Sequence, residues 1–389
     1  MPQPGKSQDG GKIMKTIKKI DRDEIQKAIL KLPYVKLANL PTPLEDCTNL
    51  SKVLGARILM KRDDLTGLAL GGNKTRKYEF IMGNVKKIGA NAIVHNVHPF
   101  SNEARQLSAA AAKLGIKVYL ISLWDHKIKD IQGNLLLDYL LGANIIFSNW
   151  FHRNLKEEIV GYLRKMGYKP YVIGHYDDIL GTVAYVNCAL EIQDQLDELN
   201  LQPDYIILAS GGSTQAGLVL GSKLLNQSCK VIGFRPVKSG YQKMGFRIIK
   251  EGNNVSFAHR ISKLANEAAK LLGFDVTISP NEILNYDTYA GGYGIVTKEC
   301  SKAIELVARK EGILLDPIYT GKAMVGLIDF IRKGIIKADK TIIFVHTGGI
   351  PALFSHSKEL STLLGYKSSV LRGLKLKIKS LVRLTRKWQ

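Results

Sequence analysis

A chain of 389 residues with 45% hydrophobic and 23% charged side chains has an ordinary globular composition, which excludes extended disorder, and it is longer than one apolar core sustains, so two lobes are expected. No stretch reaches the roughly 18 apolar residues of a membrane-spanning helix, and the N-terminal run MPQPGKSQDGGKIMK has no apolar secretory core, so a cytoplasmic location is expected. The formal charge of +22 invites a nucleic-acid reading, but residues 367–389 alone carry eight Lys or Arg and no acid, the remaining +14 is spread thinly, and no zinc-finger, RRM or KH signature accompanies it, so no nucleic-acid partner is expected.

Residues 1–13 are rich in Gly, Pro and Lys and are expected to be disordered, with Met14 a candidate internal start. Short β-branched runs bounded by Gly, Asn, Ser or Pro then alternate with longer helical patterns. Strands are expected at Arg57–Lys61, Ala92–His95, Lys117–Ser122, Asn144–Ser148, Tyr171–Gly174, Tyr205–Ala209, Val231–Phe234 and Thr341–His346. Helices are expected at Asn102–Leu114, Ala184–Leu199, Thr214–Leu225, Phe257–Leu272, Thr297–Glu311 and Lys322–Ile331. Such alternation builds parallel α/β sheets covered on both faces, with ligands collecting at the C-terminal strand ends. No fixed-period repeat or low-complexity linker divides the chain, so the lobes are expected to be interleaved. From Val370 onward, Leu371, Leu374, Ile378, Leu381 and Trp388 recur at helical spacing with Lys375, Lys379, Arg383, Arg386 and Lys387 between them, the pattern of a basic amphipathic helix. Cys47, Cys188, Cys229 and Cys300 lie far apart without paired spacing and read as small buried or half-buried apolar residues, not as disulfide partners or zinc ligands.

Five motif regions carry chemistry. Gly71-Gly72-Asn73-Lys74-Thr75-Arg76-Lys77 opens a helix that runs on through Phe80. An amine that attacks an aldehyde needs a depressed pKa, and neighbouring cations with partial burial favour its neutral form. Lys74 has Arg76 and Lys77 beside it, although basic residues in a helix's first turns are usually a solvated face. Ser101-Asn102-Glu103-Ala104-Arg105-Gln106 opens an alanine-rich helix; Ser101 is a good N-cap, so the segment is either a plainly capped helix or a helix start whose donors meet an anion such as a substrate carboxylate. Ala209-Ser210-Gly211-Gly212-Ser213-Thr214-Gln215-Ala216-Gly217 joins an apolar strand to an apolar helix. Successive amides of such a turn make a nest for a phosphate dianion, to which Ser213 and Thr214 add hydroxyls. The turn lacks a Walker A lysine and GxGxxG spacing, which leaves a nucleotide poorly supported; a tight turn needing glycine for geometry alone is the alternative. In Tyr289-Ala290-Gly291-Gly292-Tyr293-Gly294 the glycines let the Tyr293 phenol project, to stack on a planar ring or exchange a proton, and Asp316-Pro317-Ile318-Tyr319-Thr320-Gly321-Lys322-Ala323-Met324 is grouped with it. Core tyrosines are nonetheless commoner than functional ones. In His346-Thr347-Gly348-Gly349-Ile350-Pro351 a strand end meets a glycine turn, where Thr347 can face a heteroaromatic nitrogen and His346 reads as structural.

In order and spacing, from about Leu40 to Phe354, these segments resemble the D-cysteine desulfhydrase and 1-aminocyclopropane-1-carboxylate (ACC) deaminase family of fold-type-II pyridoxal-phosphate enzymes. The resemblance implies an α/β chain of the tryptophan synthase β-like fold, with two interleaved open twisted sheet lobes and helices on both faces. It implies pyridoxal 5′-phosphate as cofactor, Lys74 as the Schiff-base lysine, Lys77 as a phosphate ligand, Asn102 at the phenolic oxygen and Ser101 near the substrate carboxylate. Ser210, Gly211, Gly212, Ser213 and Thr214 would surround the phosphate, Tyr293 and Tyr289 would stack on the cofactor or relay protons, and Thr347 would meet the pyridine nitrogen. A small amino-acid substrate and a homodimer are implied, and no metal. GGSTQAG is close to the ACC-deaminase phosphate loop whereas HTGG is similar to the desulfhydrase branch, which leaves the branch open. The expected division is residues 1–36 as an extension, 37–88 and 200–366 as a large cofactor-binding domain, 89–199 as a small domain and 367–389 as a basic tail.

Two departures fall on the substrate side. His95-Asn96-Val97-His98-Pro99-Phe100-Ser101-Asn102-Glu103 stands where the family usually reads Gly-Gly-x-Gln-Ser-Asn-His or Gln, and His175-Tyr176-Asp177-Asp178 stands where family members carry a small Gly/Ser loop. Glu103 and Tyr176 are therefore substrate-side candidates that shift which side chain fits. The expected chemistry is α-proton removal by Lys74 and β-elimination to a 2-oxo acid and ammonia, favoured over transamination by a neutral Thr347 at the ring nitrogen. A β-replacement synthase is the alternative on the same scaffold. A catalytically weak docking protein is the alternative of another class, its tail packing on the enzyme itself, docking an acidic partner or lying on an anionic membrane surface.

Overall fold

The computed structural model describes residues 20–123, 130–148, 153–210, 212–237, 242–244, 247–249 and 257–366. The expected N-terminal disorder, Met14, Gly211 and the basic tail 367–389 lie outside the described residues.

Two sheets organise the chain. The larger runs in the spatial order Leu44–Asp46, Arg57–Lys61, Thr341–Val345, Tyr205–Ala209, Lys230–Phe234, Leu284–Tyr286. Its first pair is antiparallel and every other pairing is parallel, for example Ile342 opposite Ile58 and Ile343 opposite Ile206. The smaller sheet runs Asn144–Ser148, Lys117–Leu123, Ala92–Val97, Pro170–Val172 and is parallel throughout. It is inserted between the second and third strands, in chain order, of the larger one, so the two sheets are interleaved in sequence.

The unbroken apolar strands expected of parallel sheets follow from burial on both faces. In the large sheet, Ile58, Met60, Ile207, Phe234, Ile342 and Phe344 point into one core with helices Thr48–Leu54, Lys298–Glu311 and Thr320–Arg332. The alternate residues Leu59, Ile206, Leu208, Ile343 and Val345 point into another, against helix His175–Glu198. A third core joins the lobes: Tyr78 and Met82 of helix Asn73–Lys87 meet Leu107, Leu180, Leu220 and Leu264 from four further helices and Ile93 and Leu120 from the small sheet.

Helix His175–Glu198 begins nine residues before the expected Ala184, because the polar run that reads as a loop is its first turn. The Asp177 carboxylate accepts hydrogen bonds from Gly174 N at 2.7 Å and Tyr171 Oη at 2.6 Å, capping the helix from inside. Cys47, Cys188 and Cys300 are buried, Cys229 is half-buried, and all are free thiols.

Candidate active site

Three helix starts converge at the C-terminal ends of strands Tyr205–Ala209 and Thr341–Val345: those of Asn73–Lys87, Asn102–Leu114 and Ser213–Leu224. Between them lies a cavity of about 250 Å³ lined by Lys74, Lys77, Ser101, Asn102, Glu103, Ser210, Gly212, Ser213, Thr214 and Thr347, so one space gathers motifs separated by more than two hundred residues in sequence. Backbone contact makes this possible. Asn73 N–H donates to Thr347 O at 3.0 Å, and a Cβ on Gly348, at φ +93°, would sit 2.7 Å from Gly72 Cα. Any side chain there would push the lysine helix off the strand end. A larger depression of about 590 Å³, between Arg22, Gln193 and Gln227, lies away from this convergence and contains none of the motif residues.

One end of the cavity is built for an anion. The residue before helix Ser213–Leu224 is Gly212, which has no side chain to cap it, so the amides of Ser213 and Thr214 are left for a ligand, while Ser210 Oγ accepts from Gly212 N and from the third helical amide, Gln215 N, at 3.3 Å each and holds the turn in shape. Lys77 Nζ donates to Ser213 Oγ at 2.8 Å, and Asn73 Nδ2 donates to Thr214 Oγ1 at 3.0 Å. Lys77 is buried, and burial, reinforced by the Lys74 charge, drives its ammonium well below the usual lysine range. Among the described residues no carboxylate lies within ion-pair distance of it, so an incoming dianion would restore its charge. Gly181 leaves the room: a Cβ there would lie 3.1 Å from Lys77 Cδ and 3.3 Å from Ser213 Oγ.

At the other end Lys74 Nζ sits 3.0 Å from Glu103 Oε2. Burial raises the Glu103 carboxyl, but Lys74, with His95 and Lys77 behind it, outweighs burial and holds it down at about 2. Ser101 Oγ accepts from Glu103 N at 3.1 Å and Ala104 N at 3.3 Å, so its capping role is realised while it also lines the cavity. Asn102 Oδ1 accepts from Asn134 Nδ2 at 2.9 Å, which turns the Asn102 amide nitrogen into the group available as a donor.

On the remaining side one aromatic residue, Tyr319, reaches the cavity, and Tyr293 stands behind it without lining it. Tyr319 lines the cavity, and its hydroxyl donates to Tyr293 Oη at 3.4 Å. The Tyr293 ring packs against His98 with centroids 4.9 Å apart, and burial pushes its phenol up to about 12. Asp316 cradles the backbone under Tyr319, accepting from the amides of Ile318 and Tyr319 at 2.9 Å each and of Thr320 at 2.8 Å. Buried Lys322 donates to Gly292 O at 2.5 Å and so pins the loop next to Tyr293.

Several expectations are corrected. Arg76 does not face Lys74: it is buried on the opposite side of the helix, donating to Asp63 Oδ2 at 3.0 Å and to Glu191 Oε1 at 2.7 Å, in a network with Lys61 and Tyr185. Of Arg76 and Lys77, only Lys77 shares the cavity with Lys74. Tyr289 does not reach the cavity; its hydroxyl donates to Asp329 and its ring packs on Phe234 and Phe330. Tyr176 is exposed and does not line the cavity, whereas Asp178, two residues on in the same helix, does, beside Arg260 at 3.4 Å. His346 is buried, accepting Gly348 N–H on Nδ1 at 3.2 Å and facing Leu314 O from Nε2 at 2.8 Å, a structural role. Tyr319, Asn134, Asp178 and Arg260 were missed as site residues. Tyr319 stands in a motif already singled out, but Asn134 and Arg260 carry no local signal because only the tertiary fold brings them to the site.

Comparison with known proteins gives the family and the fold. The family model for "Pyridoxal-phosphate dependent enzyme" matches residues 35–348. A Pyrococcus abyssi protein named by inference as a 1-aminocyclopropane-1-carboxylate deaminase is 35% identical over 348 residues, covering 88% of this chain and 99% of its own. The D-cysteine desulfhydrase of Yersinia enterocolitica is 35% identical over 347 residues, 86% of this chain and 99% of its own. The crystal structure of an ACC deaminase homologue superposes with a TM-score of 0.76 at 35% identity, over 87% of this chain and 99% of that one, which places the fold among the type II pyridoxal-phosphate enzymes. Matched along most of its length in both sequence and fold, the chain belongs to the pyridoxal-phosphate dependent enzyme family.

Proposed function

We propose that the cavity holds pyridoxal 5′-phosphate with its phosphate at the Gly212–Thr214 turn and its aldehyde carbon bonded to Lys74 Nζ, and that the enzyme eliminates a β-substituent from a small amino acid to give a 2-oxo acid and ammonia. The observation that carries this reading is the pairing, in one enclosure, of an open helix start served by buried Lys77 with a second lysine, Lys74, at the opposite end. The donor set fits the group: a dianion suits the Ser213 and Thr214 amides and the enclosed Lys77 amine, a phenolic oxygen suits the Asn102 amide nitrogen, and a ring nitrogen suits the hydroxyl of Thr347.

Bound there, the cofactor supplies an electron-withdrawing ring that stabilises negative charge at the substrate's α-carbon. The residues supply the rest. The start of helix Asn102–Leu114, with Ser101, receives the substrate carboxylate. Lys74, the other amine of the cavity, would take the α-proton as general base. Thr347 would hold the ring nitrogen through a hydroxyl, not a cation or a carboxylate, a setting that would favour elimination over transamination. Tyr319, on the cavity wall and bonded to Tyr293 behind it, would donate toward the departing β-group. The names of the relatives, a desulfhydrase and a deaminase, support a lyase that releases ammonia.

The test is product analysis on the purified protein loaded with pyridoxal 5′-phosphate, with D- and L-amino acids and ACC, in the presence and absence of added thiols. Stoichiometric 2-oxo acid and ammonia, unchanged by thiol, is the expected result. A thioether product with no ammonia would replace elimination by β-replacement.

A further inference from the structure

We propose that Glu103 is a catalytic residue, the fixed counter-charge that stabilises a positively charged Lys74 nitrogen and so sets how readily that nitrogen takes up and releases a proton. The proposal rests on the reading of Lys74 as the amine that carries the cofactor and removes the α-proton.

The geometry is direct. Glu103 Oε2 lies 3.0 Å from Lys74 Nζ, with the two side chains 34% and 23% exposed, so the pair is half sheltered from solvent. Glu103 is the second residue of helix Asn102–Leu114, and Ser101 Oγ fixes its backbone by accepting its N–H. The helix start stabilises the anion further. The titratable groups that bear on Glu103 are Lys74, Lys77 and Tyr78 from the lysine helix, His95 and His98 from the strand Ala92–Val97 and the turn after it, and Tyr293 and Tyr319 from the loops beside the cavity. Asp178 and Arg260 line the same cavity and pair with each other at 3.4 Å, and among the described residues Glu103 is the one acid at ion-pair distance from Lys74. The nearest cation, Lys77, opposes a positive Lys74. Glu103 offsets it.

In the proton-transfer step the substrate's Cα–H bond breaks, an N–H bond forms on Lys74 Nζ, and the electron pair stays with the substrate carbon. The charge that appears on Nζ does so 3.0 Å from a carboxylate already in place. An opposite charge at that range raises a nitrogen's proton affinity by about 1 to 3 pH units. The same stabilisation acts on the nitrogen while it is bonded to the cofactor, so it can be read without turnover.

The experiment titrates the cofactor-loaded full chain, as wild type, Glu103→Gln and Glu103→Asp, from about pH 6 to about pH 10 by visible absorbance, and maps the borohydride-reduced peptide of each. Lys74 is expected to carry the label in all three. The absorbance midpoint of E103Q is expected to fall by about 1 to 3 pH units while E103D stays within about half a unit of wild type. Glu103→Ala carries the same expectation as E103Q and serves if that variant does not take up cofactor. A midpoint unchanged in E103Q or E103A, with Lys74 labelled, overturns the proposal and leaves the pair a passive surface contact. A label on another lysine overturns the reading of Lys74 itself, and the proposal with it.

Discussion

Lys77 Nζ and Ser213 Oγ meet at 2.8 Å, so one hydrogen bond ties the helix that carries Lys74 to the start of the helix that would receive a phosphate. The two residues are 136 positions apart and are both buried. If this contact is the phosphate clamp, Lys77→Met should weaken cofactor retention about 10- to 100-fold and Ser213→Ala about tenfold, the range of a charge-assisted and a neutral hydrogen bond. Equilibrium dialysis against pyridoxal 5′-phosphate measures both, and wild-type retention by K77M would remove Lys77 from the clamp.

Arg76 is the centre of a closed set of buried charges, with Asp63 and Glu191 as anions and Lys61 as the second cation. Removing one member leaves its partners charged and dry. Arg76→Leu should therefore destabilise the fold by about 3 to 5 kcal/mol, seen as a lower urea midpoint. A loss below about 1 kcal/mol would mean that water reaches the site.

The two tyrosine motifs separate cleanly. Tyr319→Phe removes a hydroxyl at the cavity and is expected to lower kcat by about 100- to 10,000-fold, the usual span for a proton-donating group. Tyr289→Phe breaks only the contact with Asp329 and should cost about 1 kcal/mol of stability with kcat within about twofold. Steady-state kinetics on both variants decides it, and the reverse pattern would restore Tyr289 to the site.

Burial pushes the buried ammonium of Lys322 down to about 8 from 10.5, against smaller opposing effects of Cys300 and Asp316. Between these values the unfolded chain binds the proton that the folded chain has released, so this group's contribution to stability rises with pH across that window. Relative to Lys322→Met, wild type should gain up to about 3 kcal/mol on going from pH 8 to pH 10.5. Chemical denaturation at both ends of the window measures it; a difference independent of pH would show that Lys322 keeps an ordinary proton affinity.

What the sequence reveals here is local. The strands Arg57–Lys61, Asn144–Ser148 and Tyr205–Ala209 and the helices Asn102–Leu114 and Phe257–Leu272 have the bounds read from periodicity, because apolar runs and their Gly or Ser punctuation are properties of neighbours. The phosphate-type turn and Lys74 are legible for the same reason. The fate of Arg76 is not, since Asp63 and Glu191 reach it from distant segments. Choosing Tyr319 over Tyr289 depends on the Asp316 cradle under one and the Phe234 and Phe330 rings against the other. The helix start at His175 was hidden because its cap is an acid inside the first turn, Asp177, bonded back to Gly174.

The most direct measurement is borohydride reduction of the purified, coloured protein followed by peptide mapping. A reduced pyridoxyl group on Lys74, with Lys77 unmodified, is the predicted result; a colourless protein that ignores added cofactor, or a label carried by any other lysine, would contradict the account.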